Sequence, residues 1–575
     1  MRKFLFVISF LAGFLLYGGQ VLAQDSQQGS EESLLPEIDP QDIEIRSQFQ
    51  ARFPGLRRQP ILGFNPRPRV FQVDPNRMPF VEDAETVVAQ LPIGELSRPE
   101  PPEYEMLGYA MPKNAFIRAG IGSYVSPELD AFATAKLSDS NWLSTDIHFT
   151  SSDGHDEAVN TSYRFADVGL KSYNRLSDRA TLVLNAGAIS NFNHQLQLDA
   201  ATEDLLDTNT KISRLGFRGS ADVKVARTTL TGVNVSAEGF YDEYTSESGL
   251  STFDEVASEG GADVLVAYSR LGKNLYEIHS LKLQSKIGST TPLLEESYGW
   301  SVSTLSANYE RLFNYNTDVH LSVGASAVTD AENDFAVYFS PKAEISHTIF
   351  RGLEIRGEAM ARPYYQTYSE IQSENRFFNV NSLIEHQYEM RALGELKMEP
   401  FYGTKIIGGA SFQDIKNYLY YTRTQSPMGL SDISEGYYTA AFEDATIFKV
   451  YGGFTQDLKP EVLWFSADGY WQLPEFADGS QIPYAESLSL QAALSFRPRN
   501  YLLLEGWGEF AGGREDHHGD SLSSFVLIGG RFELSLTENI GVYGKLLNLL
   551  NENYELWQGY EERGFQGFVG FTFLF

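Results

Sequence analysis

The sequence predicts an all-β protein: a transmembrane antiparallel β-barrel of about 22 strands, preceded by a Pro-rich extended arm. Three observations predict it. Thirteen of the 23 prolines lie between Pro36 and Pro112, which leaves ten for the last 463 residues. Strict apolar/polar alternation recurs through that long Pro-poor segment. Short polar turns alternate there with longer connections, the asymmetry of an outer-membrane barrel.

The N-terminus comes first. Arg2-Lys3 is followed by an apolar core from Phe4 to Leu16, broken only by Ser9 and Gly13. Val21-Leu22-Ala23 then places small residues where a signal peptidase reads. Residues 1–23 are therefore expected to be a secretory signal peptide. No Cys follows the core, so a lipoprotein anchor is not expected. The mature chain is expected outside the cytoplasm.

Residues 24–112 are expected to form a periplasmic arm or a partial plug. Pro fixes φ and removes a backbone donor, so long helices and central strands do not fit. Apolar patches such as Phe53-Pro54-Gly55-Leu56 and Ile61-Leu62-Gly63-Phe64 are more than a plain linker carries. The arm is read as an extended segment that orders against something else.

Residues 113–575 are expected to form the barrel. In one strand Leu215, Phe217, Gly219, Ala221 and Val223 alternate with Gly216, Arg218, Ser220, Asp222 and Lys224. Val319 to Ala327 and Leu488 to Phe496 repeat the pattern. Ten short turns are legible, near residues 139, 178, 228, 273, 315, 352, 403, 458, 499 and 538. Longer connections rich in Gly, Asp, Glu and Ser lie at Gly154–Asn160, Leu198–Thr210, Ser246–Val256, Ser369–Asn381 and Glu515–Ser521. With both termini on the short-turn side, ten short turns imply 22 strands. No helical period is sustained. The absence of an apolar run of about 18 residues after the leader does not bear on such a barrel.

The last strand is the most specific feature. Phe565, Gly567, Val569, Phe571, Phe573 and Phe575 share one face, and the chain ends on Phe575. Just before it stands Val542-Tyr543-Gly544-Lys545-Leu546-Leu547-Asn548-Leu549-Leu550-Asn551-Glu552-Asn553-Tyr554. This ending resembles the C-terminal barrel signature of TonB-dependent receptors. Asn548, Leu549, Asn551 and Tyr554, with Phe571, Phe573 and Phe575, are the positions that carry it. Leu550 stands where the family has an aromatic, and Arg563-Gly564 reverses its usual Gly-Arg order. The resemblance implies a 22-strand barrel in the outer membrane, with lipid and the barrel assembly machinery as partners. It also implies a globular plug, for which the arm looks too short and too Pro-rich. Glu85-Thr86-Val87-Val88-Ala89 is similar to a TonB box, the segment that adds a strand to the energy-coupling protein TonB. An ordinary stretch of arm is the competing reading of those five residues.

Other chemistry is thin. The chain has no Cys, so disulfides and thiolate metal sites are out. A net charge of −31 disfavours nucleic acid. Glu515-Asp516-His517-His518 reads as a polar loop rather than a metal site, because adjacent His residues do not converge on one ion. No nucleophile motif appears, so neither an enzyme nor a cofactor is expected.

Acidic residues of the long connections, among them Asp242-Glu243, Glu295-Glu296, Asp330 and Glu561-Glu562, suggest an acidic rim. Arg214, Arg218, Lys224, Lys282, Lys286, Arg531 and Glu533 point into a wet, mixed-charge lumen. The aromatics are candidates for membrane-interface girdles. Two functions compete: a receptor-like transporter of a solute across the outer membrane, and a non-transport barrel that serves as scaffold in a larger complex. In both, something must fill so wide a lumen, either the arm or a surface partner protein.

Overall fold

The computed structural model describes residues 114–575, apart from short stretches at 155–160, 195–196, 200–204, 207–210, 229, 248–254, 273–275, 294, 332–334 and 426–432. The signal, the arm and the Glu85–Ala89 segment lie outside the described residues.

The strands follow in order. The first eleven are β1 (Ala115–Gly122), β2 (Ser126–Lys136), β3 (Asn141–Ser152), β4 (Tyr163–Ser177), β5 (Ala180–His194), β6 (Lys211–Thr228), β7 (Thr231–Glu247), β8 (Glu255–Leu271), β9 (Glu277–Thr291), β10 (Tyr298–Phe313) and β11 (Thr317–Thr329). Strand β12 comes in two pieces, Ala336–Phe339 and Lys342–Phe350. Then come β13 (Leu353–Tyr364), β14 (Gln387–Met398), β15 (Thr404–Gln425), β16 (Ile433–Lys459), β17 (Leu463–Phe476), β18 (Leu488–Arg499), β19 (Leu502–Gly512), β20 (Phe525–Ser535), β21 (Ile540–Leu547) and β22 (Gln566–Leu574). Each pairs antiparallel with its neighbour in sequence, and β22 pairs back on β1 from Phe116–Leu574 to Gly122–Phe568. The barrel is closed, with 22 strands.

Among the described residues the expected short turns fall at or next to connections between paired strands; the one expected at 457–459 sits at 460–462, because the strand continues to Lys459, and the one expected around 273 lies outside the described residues. Asn314 and Tyr315 hold φ of 50° and 60° in the three-residue connection between Phe313 and Thr317, and the Asn316 N–H closes the turn on the Phe313 carbonyl at 3.1 Å. Gly352 and Gly403 supply left-handed positions in two more. Outside the spans, the short-turn end carries exposed Leu137, Leu176, Phe350, Tyr402, Tyr501 and Leu536, the side chains of an interfacial girdle. The start of β1 and the C-terminus meet at this same end. The Asn114 N–H donates to the Phe575 carbonyl at 2.6 Å, and the Phe575 N–H donates to the Ala115 carbonyl at 2.9 Å.

Alternation sorts the two faces. Leu215, Phe217, Leu305, Leu321, Val569 and Phe571 stand exposed outward, as on a lipid-facing wall. The lumen face is polar and internally paired. Arg118 meets Glu533 at 3.1 Å, Lys545 meets Glu128 at 2.8 Å, and Arg531 meets Glu505 at 3.2 Å. Several joints use a glycine as a socket. The Tyr543 ring lies across Gly570 and Gly120, where a Cβ would collide with it, and its hydroxyl donates to Glu128. One side chain of β21 thus reaches over the closing pair to β2. Tyr451 lies over Gly409 in the same way and donates to Glu395 at 2.7 Å.

Two strands overshoot the membrane. β15 and β16 have 22 and 27 residues, well beyond the roughly 9–11 of a tilted span. Their surplus stands on the long-loop side. There Ile433–Glu435 pairs with Gln197–Asp199, from the connection between β5 and β6 on the far side of the barrel.

Candidate functional site, an occluded barrel mouth

The connection between β13 and β14, residues 365–386, does not lie on the rim. It crosses the mouth. It carries the one helix among the described residues, α1 (Tyr368–Glu374). Thr367 caps α1: its hydroxyl accepts from the Glu370 N–H, and its own N–H donates to the Glu370 carboxylate at 2.7 Å. This reciprocal capping box starts the helix locally. Asn375 closes it.

Contacts on both sides define the crossing. On one wall, Arg214 and Arg218 of β6 donate to the Ser369 hydroxyl at 2.8 and 2.6 Å. The Tyr368 N–H donates to Glu259 of β8 at 2.7 Å, and Thr290 of β9 donates to the other Glu259 oxygen at 3.0 Å. The Trp300 ring of β10 stacks on Tyr365 at 4.2 Å. On the opposite wall, the Tyr421 hydroxyl donates to Glu374 at 3.0 Å. The Tyr438 N–H donates to the Phe377 carbonyl at 3.2 Å, and the Asn379 N–H donates to the Tyr438 carbonyl at 2.8 Å. Phe377 stacks on Tyr560 at 3.6 Å, and Arg376 pairs with Glu562 at 2.7 Å. β6 and β16 stand ten strands apart in a ring of 22, so a segment that touches both spans the lumen.

The strap is held by an apolar core of its own. Tyr244, Trp300, Tyr368, Ile371, Phe378, Val380, Ile384 and Tyr438 are almost wholly buried and form one cluster. Eight of the chain's 31 tyrosines, Tyr244 and Tyr438 among them, thus serve the mouth. The acidic rim expected from the sequence is corrected in part. Glu295 and Glu296 are exposed, but Asp242 pairs with Arg214 at 2.8 Å, Asp330 with His386 at 2.6 Å, and Glu562 with Arg376. Burial holds the Glu374 carboxyl above its ordinary value, against the pull of its bonds from Tyr421 and Gln366.

The Arg214–Asp242 pair anchors the strap from beneath. Its side chains are 6% and 0% exposed. Breaking a buried pair strands a charge, at a cost of roughly 3–5 kcal/mol. Arg214→Ala should therefore open the strap and speed tryptic cleavage after Arg376 by about a hundredfold or more, since cleavage follows the open population. Arg214→Met with Asp242→Leu should restore resistance, because no charge is left unpaired. Equal cleavage in wild type and Arg214→Ala would remove this pair from the anchor.

The C-terminal signature residues converge on the connection between β21 and β22. Asn548 and Asn551 hold φ of 48° and 50°. Asn548 donates to the carbonyls of Glu552 at 2.8 Å and Arg563 at 3.1 Å, and the Phe565 N–H donates to Asn551 at 2.8 Å. The two Asn side chains thus clip both ends of this connection together. Leu549 is exposed, and its N–H donates to the Ile528 carbonyl at 2.8 Å. Tyr554 packs at a tilt against Phe525 at 4.6 Å, while Phe571 and Phe573 stand on the lipid face and Phe575 pins β1.

The polar loop at Glu515–His518 is built as a turn. Asp516 accepts from the N–H groups of His518 and Asp520 at 2.8 and 2.9 Å. His517 rests against Tyr484, and burial, with His518 beside it, lowers its pKa to about 4. Among the described residues no three His, Asp or Glu converge on a metal position.

The fold and the mouth together define a large closed outer-membrane-type barrel with an in-folded loop. No family model and no curated protein matches the sequence. Solved structures do match, and in fold the barrel is that of the TonB-dependent receptors. The FrpB iron transporter (F3-3 variant) of Neisseria meningitidis superposes with a TM-score of 0.63 at 9% identity, over 81% of this chain and 82% of that one. The ferric yersiniabactin uptake receptor FyuA of Yersinia pestis gives 0.62 at 11%, over 81% and 80%. The ferric enterobactin receptor PfeA of Pseudomonas aeruginosa, as a point mutant, gives 0.61 at 11%, over 80% of both. At such identities the likeness is one of architecture.

Proposed function

We propose that this chain is a receptor-like outer-membrane transporter that admits a solute through a gated barrel. The observation that carries the reading is the strap. A lumen enclosed by 22 strands is wide enough to leak. A segment tied to both walls across the mouth gives that lumen a closed state, which a channel for regulated uptake needs. The fold likeness to three iron-uptake proteins supports the same direction. Their ligands do not carry over residue by residue, because Arg214 and Arg218 at this mouth hold the strap's Ser369, and Arg376 of the strap is paired with Glu562.

In this reading, residues 1–23 direct export and residues 24–112 form the periplasmic arm. Glu85–Ala89 of the arm is the coupling segment, binding TonB by strand addition. Proline cannot donate to such a strand. Val87→Pro in the full chain should therefore lose capture by the purified periplasmic domain of TonB, with barrel assembly unchanged. Equal capture by both chains would sink TonB coupling through this segment.

The scaffold reading keeps one specific support, the β15–β16 hairpin standing beyond the membrane. Co-purification of one stoichiometric surface protein from native membranes would favour it.

A further inference from the structure

Prolines are rare in the barrel, and two of them, Pro341 and Pro363, flank one seam from opposite strands, two residues apart in register. The β12–β13 ladder ends at Lys342–Met360. On either side the sheet climbs further: β11–β12 pairs up to Val328–Ala336, and β13–β14 up to Tyr364–Gln387. Continuing the register sets Pro341 against Ala361 and Phe339 against Pro363. Neither proline has an N–H to give, so the wall above Lys342 lacks a regular ladder. Two bonds replace it. The Ala361 N–H donates to the Pro341 carbonyl at 2.9 Å, and the Tyr388 hydroxyl donates to the Phe339 carbonyl at 2.8 Å. Tyr388 supplies the hydrogen that Pro363 cannot. Behind it Tyr338 stacks on the Tyr388 ring at 4.7 Å and meets His386 at 2.6 Å.

The outer face beside the seam is unusually apolar. Phe335, Val337 and Phe339 are 70%, 64% and 60% exposed. Strands β9–β11 carry hydroxyls there instead: Ser303, level with Val337 through Ala327, bonds Ser285 at 2.6 Å, and Ser301 bonds Thr329 at 2.9 Å. Phe339 stands eleven residues above the girdle residue Phe350, about 28 Å of height on a tilted strand, at the top of an apolar band of about 25 Å. The patch is thus continuous with the lipid-facing wall.

We propose that the β12–β13 seam is a lateral binding site for an acyl chain of an outer-leaflet lipid, with Tyr388 as its latch. Parting the strands here bares the Pro363 ring and Ala361 and breaks two hydrogen bonds, whereas elsewhere it would strip a full ladder. The chain would enter between Phe339 and Pro363 and lie against Tyr338 and His386 on the inner side.

The test uses the full-length barrel in vesicles whose lipid carries a diazirine on its acyl chain, with labelled residues mapped by mass spectrometry after photolysis. Label should appear on Val337 and Phe339, and also on Tyr338 and His386 inside the wall. Lys282 and Arg531, lumen-facing where the ladder is whole, should stay clear. Because the chain has no Cys, Phe339→Cys with Pro363→Cys can lock the seam; the locked form should lose label at Tyr338 and keep it at Val337. Tyr388→Phe, which keeps the ring and loses the bond, should raise label at Tyr338. Label confined to Val337 and Phe339 in the wild type would overturn the proposal and leave an ordinary lipid-facing wall. Absence of label from Val337 as well would overturn it in favour of a protein-covered patch.

Discussion

Replacing residues 366–385 by a short Gly-Ser turn should convert a nearly closed barrel into a conducting one, with single-channel conductance in planar bilayers up by about tenfold or more. The strap leaves the wall after Tyr364 and returns at Gln387, which pair directly. Excision therefore leaves the sheet intact and removes only what crosses the lumen. What is lost is one cluster built from Tyr368, Ile371, Phe378, Val380 and Ile384, together with the bonds to Arg214, Arg218 and Glu259. Removing residues 24–111 in addition tests whether the arm obstructs the lumen: a further rise would show that it does. Unchanged conductance after strap excision alone would refute the strap as the seal.

Gly570→Val should prevent closure of the barrel. Gly570 sits opposite Gly120 in the pair between β22 and β1, and opposite Tyr543 in the pair with β21. A Cβ at 570 would overlap the Ala119 carbonyl and crowd the Tyr543 ring and the Gly120 Cα. Two of these are backbone atoms and cannot swing away. Without closure, β1 and β22 become open edges, which in a membrane leave ladder groups unsatisfied. The folded form, read as the fast-migrating band on an unheated gel, should be lost. Gly567→Ala on the same strand is the control, because its nearest neighbour is the Leu546 side chain at 3.6 Å. It should migrate as wild type. A fast-migrating Gly570→Val band at wild-type level would refute the socket as essential.

The barrel was legible in the sequence because its signals are local. Alternation sets the faces, and turn residues such as Asn314-Tyr315 and Gly403 mark the hairpins. The ten turns alone fix the strand number. The mouth was not legible, because its contacts join residues such as Arg214 and Ser369 that are far apart in sequence and share no periodicity. One local signal was available: Thr367-x-x-Glu370 is a capping box, and it would have placed a helix start just before the stretch from Ser369 to Asn381 that reads as a plain loop. Asp242 and Asp330 were read as rim charge for a related reason. Composition shows that a loop is acidic, but not that its carboxylates have partners. The seam lies between these cases. Pro341 and Pro363 are conspicuous in a Pro-poor barrel, yet only the register shows that they flank one gap.

The strap also sets an order of events. It rests on β6 to β10, on the β15–β16 hairpin and, through Tyr560 and Glu562, on the connection before the last strand. Those surfaces come to stand around one mouth only when the sheet has closed, and contacts this distant in sequence form late. A newly inserted copy is therefore an open ring of strands first and an occluded barrel second, and the interval between the two is a hazard for the cell that makes it.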